Sequence, residues 1–144
     1  MFVIRKASAI WKGDLKSGKG TVSTETHVLN NTPYSFSSRF ESGTGTNPEE
    51  LIGAAHAGCF SMAFSAGLAN SGFVPDQVST TANVHFEKVG DGFKITLIDL
   101  ECEARVPKID EAKFQEIAAA SKTGCPISKA LAATEIKLTA KLLK

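Results

Sequence analysis

The sequence predicts an α+β fold with largely antiparallel sheets and one long, buried central helix. Stretches with strand character precede and follow the apolar segment 48–70, so strands and helices do not alternate one for one. That segment continues an uncharged run, because no Lys, Arg, Asp or Glu lies between Glu50 and Asp76. A Gly-Asp-Gly turn at 90–92 joins two of the later strands as a hairpin, which makes that part of the sheet antiparallel.

Residues that favour helix ends define the central helix. Asn47 suits the N-cap, Pro48 suits the first helical position, and Glu49 and Glu50 favour the positive end of the helix dipole. Gly72 suits the C-terminal cap, because glycine adopts the left-handed conformation found there. The sequence therefore predicts a helix that runs from Pro48 to about residue 70.

Small and apolar residues surround this helix on nearly all sides, which predicts that it is buried. Gly53, Gly58 and Gly67 each cost about 1 kcal/mol relative to Ala in a helix interior, so close approach of another helix or sheet is expected to compensate. The glycines, His56 and several serines argue against a membrane span. One sheet cannot cover such a helix in a small monomer, and we therefore expect a homodimer that sandwiches it.

Three strands are predicted before the helix and three after it. The first three are expected at 3–12, 20–25 and 34–40, and the strict alternation of the third would place Arg39 on the face opposite Phe36 and Phe40. The later strands are expected at 78–89, 93–106 and 134–143. Apolar residues change face near the middle of the second of these strands, which indicates a bulge or a change of exposed face.

Two shorter helices are predicted between the last two strands. Asp110 can cap the first, whose buried stripe comprises Phe114, Ile117, Ala118 and Ser121. Residues 122–124 end that helix, and Pro126 suits the first position of a second, short helix. No repeat or linker divides the chain, so residues 1–144 are expected to form a single domain.

Composition narrows the class of function. The chain has 16 basic and 15 acidic residues, which gives no support for a nucleic-acid or membrane-surface partner. Three cysteines exclude a complete set of intrachain disulfides. Residues 1–6 lack the apolar region of a signal peptide, so we expect a cytoplasmic protein, in which a cysteine pair is more often catalytic or redox-active than structural.

Cys59 and Cys125 are the candidate reactive thiols. Cys59 lies about three turns from the helix N-terminus, beyond the reach of the helix dipole, so it is either an inert core residue or needs a cation from elsewhere. Cys125 precedes Pro126 at a helix start, where free N–H groups lower the pKa of a thiol. Cys102 lies mid-strand and is expected to serve packing. His56 is expected to be a hydrogen-bonded core or interface residue, although a Cys–His hydrolase or acyltransferase is the alternative.

The string TNPEELIGAAHAGCF at 46–60, with GCPIS at 124–128, resembles the OsmC branch of the OsmC/Ohr hydroperoxide-resistance family. The resemblance covers essentially the whole chain and extends to WKG at 11–13, GKGTVST at 18–24 and SRFE at 38–41. It implies an OsmC-like fold, an intertwined homodimer with active sites at the interface, and a thiol-dependent peroxidase that reduces organic hydroperoxides.

The resemblance also implies roles for individual residues. Cys59 would attack the hydroperoxide and become a sulfenic acid, and Cys125 would condense with it to a disulfide. An external dithiol of the lipoyl type would reduce that disulfide, and no haem, metal or flavin would be needed. Arg39, paired with a glutamate, would lie beside the reactive thiol. Zinc is disfavoured independently, because the cysteines lack the close spacing of common zinc sites.

Helix geometry separates the two candidate glutamates. Glu49 lies roughly 80° from Cys59 around the helix, whereas Glu50 lies roughly opposite, so Glu49 is the expected active-site acid. Glu49 is also about 15 Å from Cys59 along the axis. We therefore expect Arg39 and Glu49 to reach Cys59 from the partner subunit. The competing interpretation is a non-catalytic dimer that binds a small apolar ligand and has inert cysteines.

Overall fold

A computed structural model describes all residues from Met1 to Lys144, which form two compact units, Met1–Leu51 and Ile52–Lys144. The first unit contains strands β1 (Ala7–Lys12), β2 (Lys19–Thr24) and β3 (Thr32–Tyr34) and a short helix, α1 (Phe36–Phe40). The long helix α2 (Pro48–Asn70) begins in the first unit and belongs mostly to the second. The second unit also contains β4 (Gln77–Val89), β5 (Gly92–Arg105), α3 (Glu111–Gly124), α4 (Pro126–Ala130) and β6 (Glu135–Leu143).

In the first unit, β1, β2 and β3 form an antiparallel sheet in that order. Gly20 on the central strand pairs with Trp11 on one side and Tyr34 on the other. The two rings lie 5.3 Å apart between centroids, and a Cβ at Gly20 would come within 2.6 Å of both. Glycine is therefore required at this position, because the rings occupy the space of a side chain.

The prediction of a strand over 34–40 is wrong, and Arg39 lies on helix α1. Ser35 and Ser38 form a capping box, in which the Ser38 N–H donates to the Ser35 hydroxyl and the Ser35 N–H donates to Ser38 Oγ. Phe36 and Phe40 then lie one turn apart, with ring centroids 4.7 Å apart. The i, i+4 spacing of these rings satisfies a helical period as well as a strand period, and the cap decides between them.

In the second unit, β4 and β5 form the predicted antiparallel hairpin, and β6 joins β5 in parallel. The sheet of this unit is therefore mixed, and α3 and α4 lie in the connection that a parallel pair requires. The predicted irregularity in the second long strand is confirmed. His85 pairs with Leu97 and Phe86 with Ile95, which leaves Thr96 without an opposite residue.

Helices α3 and α4 match the sequence prediction closely. The Asp110 side chain accepts a hydrogen bond from the Lys113 N–H at 2.8 Å, and the predicted stripe of α3 is buried. Pro126 opens α4, as predicted. The core of the second unit combines α2, α3 and the sheet through Phe60, Phe64, Leu68, Ile98, Leu100, Ala104, Phe114 and Ala118.

Both predicted ends of α2 are confirmed. The Glu50 N–H donates to the Asn47 side chain at 2.8 Å. At the other end, Gly72 has a φ of +92°, and the Phe73 N–H reaches the Leu68 carbonyl at 2.9 Å, which is the Schellman arrangement.

Burial of α2 on all sides is not found within one chain. Phe60, Phe64 and Leu68 are fully buried, whereas Met62 on another face is 77% exposed. The helix is long and apolar enough to cross a membrane by length and composition, a property that soluble core helices share, and 28% of its most apolar window is buried. Gly67 approaches α3 as expected, but a Cβ at Gly58 would meet nothing within 4 Å. The uncovered face leaves room for a second protein surface.

Candidate active site

The structure brings Cys59 and Cys125 together. Cys59 lies in the middle of α2, and Cys125 lies between the end of α3 and the start of α4. Both are free thiols, and their sulfur atoms are 2.8 Å apart. A thiol on either residue can therefore hydrogen-bond to a thiolate on the other.

Local interactions favour the thiolate on Cys125. Burial raises the pKa of Cys59, and its hydrogen bond with Cys125 raises this pKa further. Burial also acts to raise the pKa of Cys125, but hydrogen bonds from Cys59, Ser128 and the Ile127 backbone outweigh it, so the net pKa is lowered. Within this unit, Cys59 therefore lacks the cation that would make it the stronger acid.

Arg39 and Glu49 form an ion pair in the first unit. Arg39 Nη2 lies 2.8 Å from Glu49 Oε1, and Arg39 Nε lies 3.1 and 3.3 Å from the two carboxylate oxygens. The Glu49 side chain is only 9% exposed, whereas that of Arg39 is 35% exposed. Asn47 ties α2 to α1 by donating from Nδ2 to the Ser38 carbonyl. Glu50, by contrast, is exposed and accepts from Thr46.

A cavity of about 260 Å³ lies beside this ion pair in the first unit. Its walls are mostly aromatic, with Arg39 as the charged member, and comprise Trp11, Leu15, Tyr34, Ser35, Phe36, Arg39 and Phe40. Phe60 and Phe64 do not line this cavity, because both are core residues with no exposed surface. The aromatic walls and the charged Arg39 make the cavity suitable for an apolar group with a polar end.

His56 is buried and hydrogen-bonded, as its position in an apolar helix predicts. Its Nε2 lies 2.7 Å from Ser128 Oγ, and its Nδ1 has no hydrogen-bond partner. Burial lowers the pKa of His56, so the imidazole is neutral near pH 7. The Cys–His hydrolase interpretation loses its main support, because the imidazole bonds to Ser128. The sequence reasoning gave Ser128 no role, although a serine three residues after a cysteine at a helix start was the available signal.

Cys102 is 2% exposed and lies in the core of the second unit. Burial raises its pKa, and a hydrogen bond with Thr80 only partly opposes this effect. The thiol is therefore protonated and shielded, which fits a packing role. No group of three His, Cys, Asp or Glu side chains in residues 1–144 could hold a metal ion.

Comparison with known proteins identifies the family. The sequence model described as OsmC-like protein matches residues 41–141, a span that contains Glu49, Cys59 and Cys125 but not Arg39. The chain belongs to this family. It is 55% identical over 133 residues to Peroxiredoxin OsmC of Escherichia coli (strain K12), covering 92% of this chain and 93% of that protein. An organic hydroperoxide resistance protein of Xanthomonas axonopodis pv. citri (strain 306) is 35% identical over 89 residues, covering 61% of each chain.

Solved structures of this family share the fold. An OsmC-like protein from Mycoplasma pneumoniae superposes with a TM-score of 0.77 at 13% identity and covers 100% of both chains. An organic hydroperoxide resistance protein from Legionella pneumophila gives a TM-score of 0.71 at 23% identity, covering 97% of this chain and 99% of that one. The predicted α+β, OsmC-like fold with a long central helix is confirmed.

Proposed function

We propose that this protein is a thiol-dependent peroxidase that reduces organic hydroperoxides to alcohols in oxidative stress defence. The contact between the Cys59 and Cys125 sulfur atoms, at 2.8 Å, is the observation that carries the proposal. Two thiols at this distance can form a disulfide with little movement. The names of the relatives, a peroxiredoxin and an organic hydroperoxide resistance protein, point to the same chemistry.

The reaction has three balanced steps. The Cys59 thiolate attacks the outer oxygen of the hydroperoxide, the O–O bond breaks, and the leaving alkoxide takes a proton to become the alcohol. Cys125 then attacks the sulfur of the Cys59 sulfenic acid, so that the S–S bond forms while hydroxide leaves and becomes water. An external dithiol, which we propose to be of the lipoyl type, reduces the disulfide and is itself oxidised.

Arg39 and Glu49 are proposed to activate Cys59 across a homodimer interface. Cys59 requires a cation, because its own surroundings raise the pKa of its thiol. Arg39 is such a cation, oriented by its hydrogen bonds to Glu49. The exposed apolar face of α2 and the open space at Gly58 support a second copy at this helix. The aromatic pocket beside Arg39 would then hold the apolar part of the hydroperoxide.

The remaining parts of the proposal concern the setting of the reaction. Residues 1–144 are proposed to act as a single OsmC-like domain, since the relative from Escherichia coli matches 92% of this chain. Catalysis is proposed to need no resident cofactor, because the chemistry lies on the two sulfur atoms. We further propose that the protein is cytoplasmic, a compartment where a cysteine pair is more often redox-active than structural. Its balanced charge favours the absence of nucleic-acid and membrane partners.

Thiol titration with intact mass analysis tests the peroxidase cycle. One equivalent of cumene hydroperoxide should remove two thiols and produce a Cys59–Cys125 disulfide. Cys59→Ser should abolish the reaction, whereas Cys125→Ser should stop it at a sulfenic acid that dimedone traps. Cys102→Ser is the matched control and should react like the wild type. Three unreacted thiols in the wild type would refute the proposal and favour the ligand-binding interpretation.

Mixed dimers test the contribution from the partner. Cys59→Ser and Arg39→Gln should each be inactive alone. Unfolding and refolding them together gives dimers in which an intact Cys59 faces an intact Arg39 of the other subunit, so activity should return to about a quarter of the wild-type value. Mixtures that stay inactive, although mass spectrometry shows mixed dimers, would place Arg39 and Cys59 in the same subunit.

A further inference from the structure

His56 is a buried titratable residue that the proposed cycle does not use. It has no exposed surface, and its Nε2 contacts Ser128 Oγ at 2.7 Å. Ser128 follows Cys125 by three residues at the start of α4, and its hydroxyl is one of the groups that lower the pKa of Cys125. The imidazole therefore contacts a side chain that lies one helical turn after Cys125, the residue that is proposed to resolve the sulfenic acid.

The unpartnered ring nitrogen indicates which tautomer is present. If the proton were on Nδ1, a buried N–H donor would have no acceptor, whereas a proton on Nε2 leaves only a lone pair unpaired on Nδ1. Orphaned buried N–H groups are rarer in proteins than under-used acceptors. The proton therefore lies on Nε2, which donates to Ser128 Oγ. The Ser128 hydroxyl proton is then free to point at Cys125.

We propose that His56 is a positioning residue for the resolving thiol: its hydrogen bond orients the Ser128 side chain so that the hydroxyl proton is available to Cys125 Sγ. The inference deepens the proposed peroxidase function and rests on it. A donor that itself accepts a hydrogen bond is polarised and donates more strongly. The thiolate is the form that attacks the Cys59 sulfenic sulfur, forming the S–S bond as hydroxide leaves.

Among the groups that lower the pKa of Cys125, the Cys59 thiol contributes most, followed by the Ser128 backbone N–H and then by the Ser128 hydroxyl. The titratable side chain in direct contact with it is Cys59, and no Lys, Arg or charged His contributes to the shift of the Cys125 pKa. The Ile127 and Ser128 backbone N–H groups also act on this sulfur. Among these groups, the Ser128 hydroxyl is the one that contacts His56 and can be oriented by it.

A role of His56 at Cys125 should affect the two steps of the cycle differently, namely the oxidation of Cys59 and the formation of the Cys59–Cys125 disulfide. Loss of the His56–Ser128 hydrogen bond should slow disulfide formation without slowing the oxidation of Cys59, because a less stabilised negative charge on Cys125 raises the pKa of Cys59 less. A general loss of packing around α2 would instead affect both steps, because Cys59 lies on the same helix as His56. The ratio of the two rates therefore distinguishes positioning from a structural effect.

The first experiment measures the pKa of Cys125 without any peroxide. Thiolate absorbance is measured against pH in Cys59→Ser and in Cys59→Ser/Cys125→Ser. The difference between the two curves is the titration of Cys125. In the Cys59→Ser background, Ser128→Ala should raise this pKa by about one unit, because a hydrogen bond to the charged thiolate is lost. His56→Leu should raise it by a smaller amount, because the hydroxyl remains but is no longer oriented and polarised by the imidazole. His56→Gln, which keeps a donor near the Nε2 position, should restore it. Equal values for Leu and Gln, or no shift with either, would overturn the proposal.

The second experiment measures the disulfide step in chains that keep both cysteines. After one equivalent of cumene hydroperoxide, rapid alkylation and intact mass should show disulfide formation slowed roughly three- to tenfold in His56→Leu and Ser128→Ala. Ser121→Ala is the matched control, because Ser121 is equally buried but donates to the Ile117 carbonyl. Unchanged disulfide rates would refute the role of His56, whereas failure of Cys59 to oxidise in the wild type would refute the peroxidase function instead.

Discussion

The Arg39–Glu49 pair gives an asymmetric prediction for stability. Arg39→Met leaves the Glu49 carboxylate, which is 9% exposed, without its three hydrogen bonds from the guanidinium. Removing one partner of a fully buried pair costs about 3–5 kcal/mol. Because Arg39 is 35% exposed, water can reach part of the vacated space, so we expect a loss of about 2–3 kcal/mol in the free energy of unfolding.

Glu49→Gln should cost less, about 1 kcal/mol. The amide keeps an oxygen acceptor near the guanidinium, and the exposed part of Arg39 remains in reach of water. The two residues form one hydrogen-bonded unit, so the double variant should be less destabilised than the sum of the single variants by about 1–2 kcal/mol.

Urea unfolding at one fixed protein concentration measures these differences, since association with a second copy would make the midpoint concentration-dependent. Glu50→Gln is the matched control, because Glu50 is exposed and should change stability by less than about 0.5 kcal/mol. Single variants within that range of the wild type, or strictly additive effects, would refute the claim that the pair is a partly buried, coupled unit.

Two further predictions concern packing and pH. Gly67→Ala gains about 1 kcal/mol of helix propensity but puts a Cβ 3.0 Å from Ile117 Cγ2. The net change in the free energy of unfolding should therefore run from zero to about 2 kcal/mol of destabilisation. Thermal unfolding that shows clear stabilisation would contradict the close approach of α2 and α3. Burial lowers the pKa of His56 in the folded chain. Below about pH 6.5 the unfolded chain therefore binds a proton on His56 that the folded chain does not bind. The free energy of unfolding should fall as the pH drops below this value. His56→Gln should flatten this acid limb in urea titrations, and an unchanged slope would show that the pKa of His56 is the same in the folded and unfolded chains.

Local signals in the sequence were sufficient for the ends of the helices. Asn47, Gly72 and Asp110 act within one turn of their own backbone, and each forms the cap that its residue type predicts. The hairpin at 90–92 is likewise a local turn between two alternating strands. Such features depend on neighbours in the chain, so tertiary packing did not alter them.

The segment around Arg39 shows where local reasoning failed. Alternation over seven residues predicted a strand, but the Ser35–Ser38 capping box and the Phe36–Phe40 contact stabilise a short helix. The glutamate assignment did not depend on this error. Glu49 was separated from Glu50 by the angle around α2, and the structure pairs Glu49 with Arg39 while Glu50 remains exposed.

The sequence by itself determined the fold class, the family and the two cysteines worth testing, because helix ends, hairpin turns and motif strings are local properties. Only the tertiary structure decided that the Cys59 and Cys125 sulfur atoms lie 2.8 Å apart and that His56 contacts Ser128. These pairs are separated by 66 and 72 residues, and no local pattern encodes such a distance. The preference for a thiolate on Cys125 likewise depends on which donors the packed helices bring to one sulfur atom.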